Sequence, residues 1–288
     1  MLKTFVRRKI SCFRMADMRV LMIYRAARFS PNCVEKDRNI LEAVGKVLAE
    51  NGVAVNYVEE ENIPADTEAD VVFSMGRLPS TLEWIEQKER EGRKVVNGSR
   101  GMKNSGRSTI ERLVRENDIP VAPLEGNHGY WLKRGDASAQ QMGDVVFAED
   151  ATKRNLVLAN FRKRGIVDVV ITAHVVGDLV KFYGVSGTGF FRTFYPTDYG
   201  DTKFGCELLN GASSHHYFNL CSLKESAEKL ADIVGLQVYG GDCIVRSDGT
   251  FAIIDFNDWP SFSRCREEAA VAIASLYNTA DAAIREHR

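Results

Sequence analysis

The sequence predicts an α/β protein that begins with a parallel sheet and continues into smaller antiparallel sheets. Residues 18–24 (MRVLMIY) form a continuous apolar run, as expected of a strand covered on both faces. Residues 39–50 then carry Ile40, Leu41, Val44, Val47 and Leu48 at helical spacing, and Asn51-Gly52 supplies the stop. Strands at 53–58, 70–74 and 94–96, with a helix over 81–91, complete the alternation of a Rossmann-like unit. Tyr24-Arg25-Ala26-Ala27 stands where a dinucleotide fold would place GxGxxG, so dinucleotide binding is excluded there.

Beyond this unit the pattern changes. A short helix over 108–117 leads to strands at 130–133 and 144–147, separated by a polar loop over 134–143. A helix over 150–164 precedes strands at 167–176, 179–185 and 189–195, expected as one small sheet with hairpin-like connections. Ser186-Gly187-Thr188-Gly189 lacks the lysine and following helix of a phosphate loop and reads as a hairpin turn. Residues 196–221 show no periodicity; an aperiodic stretch of that length is usually functional, often a lid. A helix over 222–234, capped by Ser222 and stopped by Gly235, leads to strands at 236–245 and 250–256 around Ser247-Asp248-Gly249. A last helix spans 264–286.

Composition narrows the function classes. Of 288 residues, 44% are hydrophobic and 27% charged, enough for two or three packed units. The formal net charge of −1 offers no footprint for nucleic acid or an anionic membrane, and no apolar run reaches the ~20 residues that span a bilayer. Residues 1–17 are basic up to Asp17 and lack a signal-peptide core. They read as a mobile tail or an early start codon, with Met15 and Met18 just before the first strand, and a transit peptide is the minor reading. The six cysteines form no CxxC pair, which fits a reducing cytoplasm. Cys206, His215, His216 and Cys221 lie close in sequence, but their spacing matches no common zinc pattern.

The last hairpin carries the chemistry. Asp255 and Asn257 are two apart, so strand alternation puts them on one face, and the turn brings Asp242 opposite one of them. Carboxylate and amide oxygens are the ligands that hard Mg²⁺ takes, with nucleotide phosphates completing its shell. The bland alternative is a polar solvent face. Against it, Ile253-Ile254-Asp255-Phe256-Asn257 sets the acid in an apolar strand, where an unpartnered carboxylate is expensive.

Asp242, twelve residues, Asp255, one residue, Asn257 and a nearby Pro260 resemble the metal-binding hairpin of ATP-grasp enzymes. The element order agrees over roughly 18–288. The resemblance implies an ATP-grasp fold, α+β in its ATP-binding lobes, behind a Rossmann-like domain. Its divisions are 1–17 as leader, 18–105 as the first domain, 106–176 as the central lobe and 177–288 as the C-terminal lobe. It implies ATP and Mg²⁺ (or Mn²⁺) as cofactors. Lys133 matches the lysine that reaches the phosphates, and Arg107 a basic residue that often touches them. The loop over 134–143 takes the phosphate-covering place, although it keeps only Gly135 and Gly143. Ala173 and Val175 would read the adenine edge through their backbone, with Asp178 near the ribose. Thr172 stands where the family usually has an acid, and His174 is expected to pack in the cleft wall. Lys181 and Arg192 are candidates to face phosphate or an anionic substrate, and Lys203 is a weak match to a lid lysine. The arginine that D-alanine ligases place two residues before the first metal ligand is replaced by Gly240, which argues against D-alanine–D-alanine ligation.

The resemblance implies a carboxylate–amine or carboxylate–thiol ligase acting through an acyl phosphate on small-molecule substrates. Phosphoryl transfer to a hydroxyl and nucleotide binding without turnover are the alternatives. The sequence leaves monomer and homodimer open.

Overall fold

The computed structural model describes residues 18–31, 33–136, 142–199 and 210–286. The leader over 1–17, Lys203, Cys206 and residues 137–141 of the polar loop over 134–143 lie outside the described residues.

The first unit is built as expected. Strands β1 (Arg19–Tyr24), β2 (Ala54–Glu59), β3 (Val71–Ser74) and β4 (Lys94–Val96) form a parallel sheet in the order β2-β1-β3-β4. Helices α1 (Val34–Glu50) and α2 (Pro79–Arg90) connect them. Helix α1 begins before the expected 39–50 because its first turn is polar and shows no apolar spacing. Helix α3 (Ser99–Asn104) is new: six residues, SRGMKN, are too short and too polar to show a helical repeat. Helix α4 (Arg107–Glu116) follows.

The small sheet departs from expectation. Strands β5 (Tyr130–Arg134), β6 (Val145–Ala148) and β7 (Val169–Ala173) form an antiparallel sheet ordered β6-β5-β7, backed by α5 (Ala151–Lys163). Strands β8 (Asp178–Val185) and β9 (Phe191–Phe194) instead join β10 (Val238–Val245) and β11 (Phe251–Asp258) in the order β11-β10-β8-β9. Residues 174–177 therefore carry the chain from one sheet to another and close no hairpin. Gly177, at φ +154°, makes the crossing tight: a Cβ there would stand 2.2 Å from the Val245 carbonyl oxygen. Helix α6 (Leu220–Val234) is capped by the Asn219 side chain, which accepts from the Ser222 amide, and not by Ser222 as expected. Its C-terminal Gly235 is left-handed, as read.

Packing ties these sheets together unequally. Tyr130, Leu132, Ala148, Phe161 and Ile166 give the β5–β7 sheet and α5 a core of their own. A larger core joins Val20 and Phe73 of the first sheet and Val44 of α1 to Val238, Trp259 and Phe262, and to Ile273 of the last helix, α7 (Arg266–Glu286). Asn97, fully buried at φ +54°, staples the same seam. Its side-chain oxygen accepts from the Gln237 and Val238 amides, and its Nδ2 donates to the Val238 carbonyl at 2.7 Å.

Candidate functional site

Strand register gathers the candidate residues. Across the C-terminal sheet Asp255 pairs with Asp242, and Asp242 with Lys181, in one row on one face. The next row on that face is Asn257, Gly240, Tyr183 and Arg192. The Asp242–Asp255 pairing is followed by Cys243–Ile253, so Ile254 is an extra residue in a β-bulge. The bulge turns the Ile254 carbonyl toward the facing sheet, where Lys133 Nζ of β5 donates to it at 2.7 Å.

Each carboxylate of the row has cationic company. Lys181 Nζ lies 3.0 and 3.3 Å from the two Asp242 oxygens. Arg107, at the start of α4, stands 3.7 Å from Asp255 and donates to the Arg134 carbonyl at 2.7 Å. Asn257 Nδ2 donates to Asp255 at 3.2 Å. Burial opposes the charge on Asp255, but Arg107, Lys133, the Asn257 hydrogen bond and Lys181 outweigh it and hold its pKa below the usual carboxylate value. Burial lowers the Lys133 pKa, and Arg107 acts in the same direction against the pull of Asp255. An incoming polyanion would reverse that tendency by giving the ammonium a partner.

Between the two sheets lies a cleft of about 450 Å³, with Arg107, Lys133, Val170, Thr172, Ile254 and Asp255 among its walls. Trp131 and Phe147 share the Lys133 face of the small sheet. Trp131 Nε1 donates to His174 Nδ1 at 3.0 Å, and Phe147 meets the same imidazole edge-on. His174 thus packs against these two rings, its pKa lowered by burial and by His128. Ala173 and Val175 are buried just after Thr172, and the Ala173 amide donates to the Pro123 carbonyl at 2.7 Å.

Two candidates sit differently from their expected roles. Asp178, expected near a ribose, is buried and accepts from the Ser214 and His216 amides, each at 2.7 Å. Its carboxylate anchors the segment after residue 209, because two backbone donors there have no strand to pair with. Arg192, proposed for phosphate or an anionic substrate, lies on the correct face but at the sheet edge. It is half exposed and donates to Glu268 of α7 at 3.0 Å. His215 lies 3.3 Å from Asp198, and among the described residues no three His, Cys, Asp or Glu side chains are grouped to hold a metal.

Asp242, Asp255 and Asn257 nevertheless suit a hard divalent cation. They present two carboxylates and an amide on one face, and no sulfur or imidazole. Gly240 has a structural reason. A Cβ there would stand 2.8 Å from Pro260 and 2.9 Å from both the Phe182 carbonyl and the Tyr183 ring. Tyr183 therefore occupies the space a larger residue would need; burial raises its phenol pKa to about 12.

The sequence reading missed a buried ion cluster beside the hairpin. Asp258, next to Asn257, pairs with Arg25 Nη2 at 2.6 Å and with Arg77. Arg25 also holds Asp37 at 3.0 Å. Burial opposes the Asp258 charge, but Arg77 and Arg25 outweigh it, so the carboxylate stays charged. Arg25 follows β1 and Arg77 follows β3, the two central parallel strands, whose connections lead to β2 at one edge of the sheet and to β4 at the other. Crevices at such switch points are where ligands bind in open α/β sheets, and that rule was the available signal.

No protein-family model matches the sequence, and no curated protein is similar enough to be matched. Solved structures do match in fold. D-alanyl-alanine synthetase A from Vibrio cholerae O1 biovar eltor superposes with a TM-score of 0.64 at 12% identity, over 93% of this chain and 99% of that one. The ATP-grasp ligase PsnB, complexed with a minimal precursor, gives 0.60 at 12% identity, over 92% and 99%. A RimK domain protein ATP-grasp from Sphaerobacter thermophilus gives 0.60 at 16% identity, over 91% and 98%.

Proposed function

Because this chain has the ATP-grasp fold, we propose that it is an ATP- and Mg²⁺-dependent ligase joining a carboxylate to an amine, or to a thiol, through an acyl phosphate. One observation carries the reading: Lys133, Arg107 and Asp255 line one cleft, and Asp242 and Asn257 share the Asp255 face of the C-terminal sheet. The D-alanyl-alanine synthetase and the ATP-grasp ligase PsnB, which share the fold, support the reaction class.

The residues divide the work by charge. Lys133 and Arg107 offer point and planar positive charge to phosphate oxygens, which lowers the barrier as negative charge moves onto the leaving ADP. Asp242, Asp255 and Asn257 would hold the divalent cation, which supplies further neutralisation of the phosphates when bound. A substrate carboxylate oxygen then attacks the γ-phosphorus, and the bond to ADP breaks. The amine attacks the acyl carbon and phosphate leaves with the carboxylate's oxygen. No protein side chain forms a covalent bond in this sequence.

Two measurements test the reading. ATP with Mg²⁺ should raise the melting temperature of the chain, and Lys133→Ala should reduce that rise while leaving the unliganded value nearly unchanged. The second property follows because removing a buried ammonium also removes its desolvation penalty. No rise at millimolar ATP would overturn nucleotide binding. With an ¹⁸O-labelled acid, identified by a metabolite screen for ADP release, label should appear in free phosphate. A stable phosphorylated product without free phosphate would identify phosphoryl transfer to a hydroxyl instead.

A further inference from the structure

We propose that Asp258, clamped by Arg25 and Arg77 from the loops after β1 and β3, is a positioning residue that aims Asn257 and thereby sets the divalent-cation affinity of the site. The inference rests on the reading of Asp242, Asp255 and Asn257 as oxygen ligands and assigns the first sheet a part in their geometry.

The argument begins with the backbone. Immediately after Asn257 and Asp258 the chain leaves the sheet through Trp259 and Phe262, both left-handed at φ +40° and +47°. Bulky side chains at such angles are genuine outliers and persist only where their surroundings over-determine them. Trp259 is fully buried, and its amide donates to the Val238 carbonyl at 3.2 Å. The turn is held further by the Phe262 ring against Tyr183 at 5.3 Å, by Pro260, which closes over Gly240, and by the Asp258 clamp. Asp258 is the restraint nearest to Asn257.

The clamp is well built for that purpose. The Asp258 side chain has no exposed surface, and each of its oxygens faces a different arginine. Arg25 also donates to the Asp258 backbone carbonyl at 3.4 Å, so it grips main chain and side chain together. Its Nη1 and Nε donate to Asp37 and to the Met75 carbonyl, at 3.0 and 3.3 Å, and Ser30 donates to Asp37 at 2.6 Å. On the β3 side, Glu60 accepts from the Arg77 and Leu78 amides at 2.6 and 2.7 Å and fixes the loop that carries Arg77. Planar guanidinium forks hold a carboxylate in direction as well as distance, which lysines would not. The first sheet therefore contributes no ligand of its own but orients the strand end that carries one. Partners of this kind behind a metal site alter metal affinity by about 10–100-fold when removed.

The test titrates Mn²⁺ into the full chain with the β,γ-imido analogue of ATP at saturation, reading free Mn²⁺ by its electron paramagnetic resonance signal. Asp258→Asn should weaken Mn²⁺ binding about tenfold or more, and Arg77→Lys should weaken it in the same direction. The melting-temperature rise produced by the analogue without metal should be unchanged in both. If Asp258→Asn does not fold, Arg77→Lys carries the test. Val44→Ala, in the core of the first sheet, provides a destabilised control with Mn²⁺ affinity like wild type. Wild-type Mn²⁺ affinity in the folded variants would overturn the clamp, and so would equal weakening in Val44→Ala. Failure of the wild-type chain to bind Mn²⁺ would overturn the ligand set and the clamp together. Loss of binding in Asp255→Asn separates that failure from failure of the clamp alone.

Discussion

Asp255→Ala should lower Mg²⁺-dependent ATP turnover by about 10²–10³-fold, the scale of removing one element that stabilises charge in the reaction. The residue has a double role in the geometry. It supplies a ligand oxygen at the centre of the row, and it is the nearby counter-charge for both Arg107 and Lys133. Its loss would leave two half-buried cations without the acid, so nucleotide binding and cation binding should both suffer. Asn257→Ala should fall in the same range through the ligand alone. Asp242→Ala should also lose activity, though less completely. Circular dichroism should show the fold intact in all three variants. Wild-type turnover in every one of them would remove the hairpin as the metal site.

Trp259→Ala should destabilise the chain by about 3–5 kcal/mol, the usual range for truncating a large buried aromatic. Trp259 has no exposed surface and belongs to the core that joins the first sheet to the C-terminal sheet. Trp259→Phe should cost much less, because the indole nitrogen is buried without a hydrogen-bond partner and little polar interaction is lost. Urea unfolding measures both. Equal losses for the two substitutions would show that ring volume is not what the site requires.

The hairpin was legible because its signal is local. Two-residue spacing and a strong turn fix which side chains share a face, and the register bears this out for Asp242 and Asp255. The β/α order of the first unit was legible for the same reason. The division between sheets at residues 174–177 was not, because Gly177-Asp178 between two apolar strands reads like a hairpin turn. The Asp178 anchor was not legible either: no short-range pattern reveals an acid that accepts from amides 36 and 38 residues away. The Asp258 clamp joins residues 233 and 181 positions apart, and a separation of that size leaves no trace in periodicity. Arg192 shows the limit of strand alternation, which gives its face correctly and says nothing of Glu268 waiting at the edge.

The shared core across the seam has a mechanical consequence. With Asn97 stapled to β10 and Trp259 buried among first-sheet side chains, the first sheet and the C-terminal sheet behave as the anvil of a vice. The β5–β7 sheet, with its separate core, is the jaw. Lys133 sits on the jaw, and Asp242, Asp255 and Asn257, the proposed oxygen ligands, sit on the anvil. Rigidity of the anvil is then a condition of selectivity: a site whose ligands all belong to one stiff body can demand a fixed ion radius, whatever the jaw is doing.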